Sequence, residues 1–233
     1  MTGEVRLALP FQGRWLTRNS PARRIPSHGT NLMGSRYAID FIGVDDRHRI
    51  ADRTDWRTLF ATEPVERFFA FGRPVLAPAD GVVVRTHDGE VDHVARRSQL
   101  TLVPYALGQA RRYRRGPAGL AGNHVVIALR EPGRFVALAH LRAGSLRVAV
   151  GDEVTVGQHL VDCGNSGNST SPHVHVQVMD DAEATVARGV PMTFLHFREW
   201  PGGRGSFGVR QSGLPQENAV VEPLPESPED VAT

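Results

Sequence analysis

An all-β or β-rich fold, built on an antiparallel sheet, is predicted by three features of the sequence. Short valine-rich runs recur between turn signals, Gly and Pro are abundant (24 and 16), and aromatic residues form only 7% of the chain. Such runs are typical of strands joined by turns rather than of long helices. With 233 residues and 40% hydrophobic content, the chain can bury one substantial core without a second domain.

The strands are predicted in chain order from alternating apolar residues and the turn residues that flank them. The first is EVRLALPF, and the turn-rich run NSPARRIPS follows it. The later strands lie in RYAIDFIGV, GRPVLAPADGVVVRTHDG, GNHVVIAL, RFVALAHL, VTVGQHLVDCG and HVHVQV. GRPVLAPADGVVVRTHDG contains a Pro/Asp/Gly turn, so we expect it to form two strands rather than one.

The segments between these strands define the predicted organisation of the chain. Residues 1–24 are an N-terminal strand and linker, and residues 25–200 form the folded domain. Two insertions are expected within this domain, at about 44–71, with short helical turns, and at about 88–121, which is rich in arginine. Residues 201–233 are rich in Gly, Pro, Glu and Ser, a composition that predicts a disordered tail.

Charge and composition argue against several classes of partner. The formal net charge is only +2, and all 27 basic residues are arginine. Four of them cluster at Arg111, Arg112, Arg114 and Arg115. Few aromatic residues accompany this cluster, which favours a solvated loop over a nucleic-acid site. We therefore expect no nucleic-acid partner.

The number of cysteines and the length of the apolar runs bear on the cellular compartment expected for the protein. Cys163 is the only cysteine, so no internal disulfide can form, and its apolar surroundings predict a buried thiol. No run approaches the roughly 18 apolar residues of a membrane span, and the N-terminus lacks a signal-peptide pattern. The chain as written is therefore expected to be soluble, without a transmembrane segment or a visible export signal.

Two histidines and a carboxylate give the strongest indication of a functional site in the sequence. His173 and His175 occupy alternate positions of an apolar strand pattern, so both imidazoles face one side of the sheet while the intervening valines face the other. Asp40 lies in the middle of another apolar strand, where a carboxylate is costly unless it is paired or bound to a cation. This arrangement suits a zinc site, although His-x-His also arises by chance in edge strands.

Four motifs occur in a fixed order: HGTN followed by YAIDF, then GRPVLAPADGVV, ALAHL and GNSGNSTSPHVHVQV. Together they resemble the lysostaphin-type zinc endopeptidases, which cut peptide bonds in bacterial peptidoglycan. The resemblance extends from about His28 to Met179, most of the predicted folded chain. It implies a sandwich-like peptidase domain with a substrate groove across the sheet, one zinc ion on the groove floor and the two insertions as its walls.

The resemblance also implies roles for individual residues. His28, Asp40 and His175 would bind the zinc, while His140 and His173 would stand beside it as catalytic residues. Three protein ligands with one open position are the pattern of a catalytic zinc rather than a structural one. The two further histidines would move the protons of amide hydrolysis, and spacing does not decide which of them is the base.

His28 has a rival as the first ligand. Eleven residues separate His28 from Asp40, whereas the commonest family motif is His-x-x-x-Asp, although a longer spacing before a YA-aliphatic-DF strand also resembles the family. The alternative is His48, eight residues after Asp40. If His28 is the ligand, a loop must bring it back to the strand that carries Asp40.

Three further residues are candidates for the groove. His124 is expected either to line the groove or to lie at the surface. Asn165 and Ser169 belong to the turn before His173, where contact with substrate and a purely conformational role both fit. Gln177 stands where many relatives carry Glu, and we expect it to play a neutral supporting role behind the metal ligands.

The resemblance implies a zinc metalloendopeptidase whose substrate is a stem peptide or cross-bridge of peptidoglycan. Two alternatives stay open: a non-catalytic relative that binds the cell wall or activates another enzyme, and a peptidase of the same fold that cuts a non-wall peptide. The family is usually exported to the cell envelope, whereas this chain as written lacks a leader. The compartment, the oligomeric state and the bond cut are therefore left open at this point.

Overall fold

Strands dominate the computed structural model of this chain, which describes residues 3–108, 114 and 116–224. The predicted β-rich, mainly antiparallel fold is confirmed. Its strands are β1 Val5–Leu7, β2 Trp15–Arg18, β3 Ile39–Gly43, β4 Pro74–Leu76, β5 Gly81–His87, β6 Asn123–Leu129, β7 Phe135–Leu141, β8 Glu153–Val154, β9 His159–Asp162, β10 Val174–Met179, β11 Gly189–Val190, β12 Met192–Trp200, β13 Gly208–Gly213 and β14 Val220–Pro223.

Helices are short throughout the described residues. The α-helices are α1 Trp56–Phe60, α2 Gln99–Leu107 and α3 Gly116–Ala121, and the 3-10 helices are Leu32–Tyr37, Val65–Arg67 and Pro201–Gly203. None of the helices in the described part of the chain is long and apolar enough to cross a membrane.

One large sheet of twelve described strands carries the fold. Its order is β1-β12-β14-β2-β3-β10-β7-β6-β5-β8, with β11 beside β10 and β13 beside β12, while β4 and β9 form a separate pair. The pairings are antiparallel apart from that of β1 with β12, which is parallel. β10, which contains His175 and directly follows His173, lies between β3 and β7. The sheet therefore brings the YAIDF, ALAHL and HVHVQV motifs together.

Alternation along β10 separates a core face from a second face. Val174, Val176 and Val178 are buried in the main apolar core together with Ile39 and Phe41 of β3. The residues between these valines point to the opposite side of the sheet, where they line a cavity. The predicted orientation of the two β10 faces is thus confirmed. We call the cavity side of the sheet the groove face.

Both segments predicted as insertions contain short helices and contact one another. α1 and the 3-10 helix Val65–Arg67 lie within the first insertion, as DWRTLF and PVERFFAF predicted, and α2 and α3 lie within the second. Glu63 of the first insertion is fully buried. It accepts a hydrogen bond from Arg97 Nε of the second insertion at 2.7 Å and forms a β-bridge with Ala95.

Part of the predicted arginine cluster has no structural description. Arg111, Arg112 and Arg115 lie outside the described residues, and Arg114 is exposed. The prediction of a solvated loop therefore stays a prediction for this cluster.

The segment after residue 200 differs from the disordered tail that composition predicted. Residues 208–213 form β13 and residues 220–223 form β14, which is inserted between β12 and β2. Val220 and Val221 are fully buried, and this apolar burial with the strand pairing explains why a polar, Gly- and Pro-rich segment is folded. Residues 225–233 lie outside the described part of the chain.

A truncation tests whether these last strands stabilise the fold. Ending the chain after Gly203 removes the shared partner of β2 and β12, together with two buried valines. Because burying one such side chain contributes about 1.5–3 kcal/mol, we expect Tm to fall by about 10 °C or more, measured by circular dichroism. A chain ending after Leu224 is the matched control and should keep the full-length Tm. Equal Tm values for both truncations would contradict the role of β14.

Cys163 lies in the main core, where the sequence placed a structural thiol. It is fully buried, and burial raises the pKa of its thiol far above the ordinary value. Since the thiolate is the reactive form, burial and the raised pKa fit the structural role predicted for this cysteine.

Candidate metal centre

Three predicted ligands meet at one point on the groove face. His28 Nε2 lies 3.1 Å from Asp40 Oδ2, and His175 Nδ1 lies 2.9 Å from Asp40 Oδ1. One ligand atom from each of the three residues lies within 4.8 Å of the other two. His28, Asp40 and His175 therefore form a candidate metal site.

Strand register places two of these ligands side by side. Asp40 of β3 is directly opposite His175 of β10, and paired residues of neighbouring strands project to the same face. A slip of one residue would turn either side chain toward the core. The pairing is set by the apolar residues that flank both positions and fill that core.

A folded loop returns His28 to the strand despite the long spacing. The loop contains the 3-10 helix Leu32–Tyr37, and its base is closed where Ser27 N donates to Arg36 O at 3.1 Å. The rival His48 lies elsewhere: its Nδ1 donates to Gly203 O at 2.8 Å and its ring packs against Trp200. The structure thus assigns His28, and not His48, to the candidate site.

Each member of the group has a further polar partner outside the group. Ser27 Oγ lies 3.1 Å from His28 Nδ1, and Gln177 Oε1 lies 2.9 Å from His175 Nε2. Asn19 Nδ2 donates to Asp40 Oδ2 at 2.7 Å. Such partners orient metal-binding side chains and select the tautomer of each imidazole.

Asn19 was not singled out from the sequence. It lies in a turn 21 residues before Asp40 and adopts a left-handed backbone with φ of 50°, which asparagine tolerates better than most residues. The NSP run signals a turn, but nothing in the sequence indicates where its amide points.

The donor set fits a zinc ion. Two imidazole nitrogens and one carboxylate oxygen are ligands that zinc accepts, and three protein ligands leave a position open for a reactant. Asp40 is only 6% exposed, and a buried carboxylate among imidazoles provides the negative charge that a cation needs. The chemistry of the residues therefore agrees with the metal predicted from the sequence.

Two more imidazoles stand beside this group. The ring of His140 lies 4.6 Å from that of His173, and His173 Nε2 lies 3.7 Å from Asp40 Oδ1. The Nδ1 atoms of both rings face backbone carbonyls, His140 toward Ser166 O at 3.0 Å and His173 toward Ser171 O at 2.8 Å. Because a carbonyl only accepts, Nδ1 carries the proton in each ring, and Nε2 is the atom free to exchange one.

His140 reaches the groove through an unusual backbone conformation. Ala139 faces the groove opposite His175, so simple alternation would send His140 to the core face. Its φ of 64° is left-handed, a conformation that costs a non-glycine residue about 1–2 kcal/mol. This turn at the end of β7 brings the imidazole onto the cavity side. The ALAHL run predicted a strand but not this turn.

Burial and mutual charge set the protonation of the cluster. Burial acts to raise the pKa of Asp40, but the charges of His28 and His173 and the hydrogen bonds from His175 and His28 outweigh it, so the pKa lies well below its ordinary value. Burial holds the pKa of His140 well below the usual range and also lowers that of His173. At neutral pH the site thus combines an ionised carboxylate with neutral imidazoles at His140 and His173.

Asn165 and Ser169 support the loop before β10 instead of lining the cavity. Both are buried, and neither belongs to the residues that line the groove. Ser169 Oγ donates to Asn165 Oδ1 at 2.7 Å and lies 3.1 Å from His173 Nδ1. Of their two predicted roles, the structure supports the conformational one, because their polar groups are used within the loop.

The second insertion also braces this loop. His93 Nε2 donates to Gly167 O at 2.9 Å, and Tyr105 OH donates to Ser169 O at 2.8 Å. Asp92 Oδ1 accepts from the backbone N–H of Asn165 at 2.6 Å. These contacts were not predicted, because they join segments that lie more than 60 residues apart.

The candidate centre opens into a cavity of about 530 Å3. Its lining includes the three candidate ligands, His140, His173 and His124. Of the two sequence interpretations of His124, the structure supports the groove position. Ala137 and Ala139 of β7 also line the cavity, and their small side chains leave room above the strand for a peptide.

Solved structures of low sequence identity are similar to this chain. The catalytic domain of lysostaphin from Staphylococcus simulans is 16% identical, with 76% of this chain and 88% of that chain covered and a TM-score of 0.39. The catalytic domain of the prophage-encoded M23 protein EnpA from Enterococcus faecalis, solved as a point mutant, is 19% identical, with 66% and 73% covered and a TM-score of 0.37. A zinc-containing peptidase from Vibrio cholerae is 19% identical, with 60% and 43% covered and a TM-score of 0.33.

Family membership follows from the sequence itself. No curated protein sequence gives a significant match, but the sequence pattern of peptidase family M23 matches residues 65–187, more than half of the chain. The matched region contains His140, His173 and His175, and the sheet places His28 and Asp40 beside them although both precede it. This chain belongs to peptidase family M23, the lysostaphin-type metallopeptidases.

Proposed function

We propose that this protein is a zinc-dependent endopeptidase that hydrolyses amide bonds in the stem peptides or cross-bridges of peptidoglycan. One zinc ion per chain would be held by His28, Asp40 and His175. The observation that carries the proposal is the meeting of this ligand set with the two further imidazoles of His140 and His173 at one end of a peptide-sized cavity. A purely structural metal site would have no use for those imidazoles.

When bound, zinc supplies Lewis acidity that polarises the scissile carbonyl and acidifies the attacking water. The chain's own residues supply the proton movements. His140 and His173 present Nε2 toward the site, because their Nδ1 protons are engaged by backbone carbonyls. One of the pair takes a proton from the water as its oxygen attacks the carbonyl carbon, and a proton is returned to the amine nitrogen as the C–N bond breaks.

The same imidazoles can stabilise the charge that develops on the carbonyl oxygen. A protonated Nε2 is a donor, and donors held in place before the reaction lower the barrier without reorganisation. His173 is held by Ser171 O and by Ser169 Oγ, while His140 is held by Ser166 O. Their positions therefore depend on the loop that the second insertion braces.

The peptidoglycan assignment is supported by the shape of the groove as well as by the family. Small side chains on β7, Ala137 and Ala139, line the cavity between the candidate ligands and His124. A substrate backbone with small residues, such as glycine or D-alanine, suits this part of the groove.

Digestion of purified peptidoglycan tests the proposed function. We expect the zinc-loaded protein to release peptides with new amine termini, identified by mass spectrometry, and the chelator-treated protein to release none. Zinc binding without amide cleavage of any wall preparation would favour a non-catalytic wall-binding relative. Cleavage of an unrelated peptide but not of peptidoglycan would favour a peptidase with a non-wall substrate.

A further inference from the structure

The groove extends well beyond the candidate metal centre. Gln177 of β10, Ala137 of β7, Val126 of β6 and Arg85 of β5 are successive partners in register across four strands. All four line the cavity. With neighbouring strands about 4.8 Å apart, the backbone of Arg85 lies about 14 Å from that of Gln177. The residues between them, Ala137 and Val126, are apolar, and Arg85 places a charge at the end farther from Gln177.

Arg85 forms an ion pair at that end. Its Nη2 lies 3.1 Å from Glu183 Oε2, and the two side chains are 48% and 37% exposed. Glu183 comes from the loop after β10, and both residues line the cavity. The loop also fixes the carboxylate, since Thr185 Oγ1 donates to Glu183 Oε1 at 2.9 Å. A cation and an anion thus stand side by side, half open to the groove.

His124 adds a neutral acceptor to the same wall. Its Nδ1 donates to Gly122 O at 2.8 Å, which leaves Nε2 as an acceptor in the neutral ring. His124 is paired with Ala139, which is paired with His175, so its backbone lies about 10 Å from that of His175. The short side chain of Ala139 leaves open space between the two imidazoles, and a substrate backbone can pass there.

Resting on the proposed function, we propose that Arg85 and Glu183 form a specificity subsite for a diamino dicarboxylic acid in the substrate peptide. The free end of such a residue carries an ammonium and a carboxylate on one carbon. The carboxylate pairs with Arg85 and the ammonium pairs with Glu183, so one protein ion pair is replaced by two charge-assisted pairs. A lysine in the same place has only the ammonium and leaves Arg85 without a new partner.

This subsite selects by charge pattern rather than by size. A substrate that lacks either the ammonium or the carboxylate must separate Arg85 from Glu183 and leaves one of these two residues without a new partner. This penalty disfavours its binding. The two substrates differ at one carboxylate, and a hydrogen bond to a charged group contributes about 1.5–3 kcal/mol, which corresponds to about 10-fold to 100-fold in affinity.

Binding of two synthetic stem peptides tests the subsite. They differ only in one residue, which is meso-diaminopimelic acid in one peptide and lysine in the other. Binding to the zinc-loaded full-length protein is measured by calorimetry, under conditions in which the peptides stay uncleaved during the titration. We expect the diaminopimelic acid peptide to bind about 10-fold or more tightly than the lysine peptide. Arg85→Gln should bring the ratio close to one, because it removes the partner of the carboxylate that only one peptide carries. Glu183→Gln should weaken both peptides and keep the preference, because it removes the partner of the ammonium that both carry.

The matched control is Arg130→Gln, because Arg130 forms a similar ion pair with Asp80, at 3.0 Å, that lies outside the cavity lining. This variant should keep the wild-type ratio, and circular dichroism checks that every variant is folded. Equal affinities in the wild type, no binding of either peptide, or a preference that survives Arg85→Gln would overturn the subsite. Hydrolysis of both peptides at equal rates would leave the peptidase intact and reject the subsite. A binding preference without any hydrolysis would support the subsite and reject the peptidase.

Discussion

Replacing His28 with alanine is expected to lower zinc affinity by more than about 100-fold. His28 contributes one of the three donor atoms that meet within 4.8 Å. Changing a residue that only supports a ligand already costs about 10–100-fold in metal affinity, so loss of the ligand itself should cost more. Competition with a chromophoric chelator measures the affinity, and elemental analysis of the purified protein gives the stoichiometry.

The control for this substitution is His48→Ala. His48 is the closest rival in sequence, but it is hydrogen-bonded to Gly203 O and packed on Trp200. We expect His48→Ala to bind zinc as the wild type does. Retention of tight zinc binding by His28→Ala, or loss of zinc from His48→Ala, would show that the ligand set is misassigned.

His140→Asn is expected to slow amide hydrolysis by about 10²–10⁴-fold, the usual contribution of a general acid or base, while zinc stays bound. Asparagine is chosen because it tolerates the left-handed backbone found at this position and cannot take up the proton. The rate with a fluorogenic peptide substrate and the zinc content of the same sample are measured together.

His159→Asn is the matched control for His140→Asn. His159 lies on β9 and bonds to Asp162 and to Val161 O, outside the cavity lining. It should leave both the rate and the zinc content unchanged. A wild-type rate in His140→Asn would reject the proposed catalytic role, and loss of zinc would instead indicate that His140 is a ligand.

Local alternation explains why much of the site could be predicted from the sequence. The spacing of His173 and His175 gives their common face directly, since side chains in a strand repeat every two residues. Asp40 was recognisable because a carboxylate among apolar strand residues needs a partner. Both arguments use only a few neighbouring residues, and the register of β3 with β10 confirms that Asp40 and His175 face the same way.

Features that depend on contacts between distant segments were beyond this reasoning. Spacing alone left His28 and His48 as rivals, because the path of the loop before β3 is set by tertiary hydrogen bonds such as that of Ser27 with Arg36. The left-handed turn at His140 has no local sequence signal. Neither does the contact of Asn19 with Asp40, which joins two separate elements.

Composition misled the prediction for the segment after residue 200. Its Gly, Pro and Glu content is typical of disordered chains, but two adjacent valines of β14 are buried between neighbouring strands. A composition average gives little weight to two residues. Pairing with β2 and β12 gives them a buried environment that an isolated segment would not have.

The buried Glu63 has a consequence for how this protein can diverge from its relatives or be recombined with them. Its carboxylate is matched by Arg97 of the other insertion and lies 3.2 Å from Arg67 of its own. A chimera that exchanges only the second insertion would remove Arg97 and leave the buried Glu63 with Arg67 alone, and loss of one partner from a buried ion-pair network is strongly destabilising. We therefore expect the two insertions to be inherited or transplanted as a pair, although only the second contributes residues to the cavity lining, and a new substrate preference to be more easily reached at Arg85 and Glu183 than by grafting a single insertion.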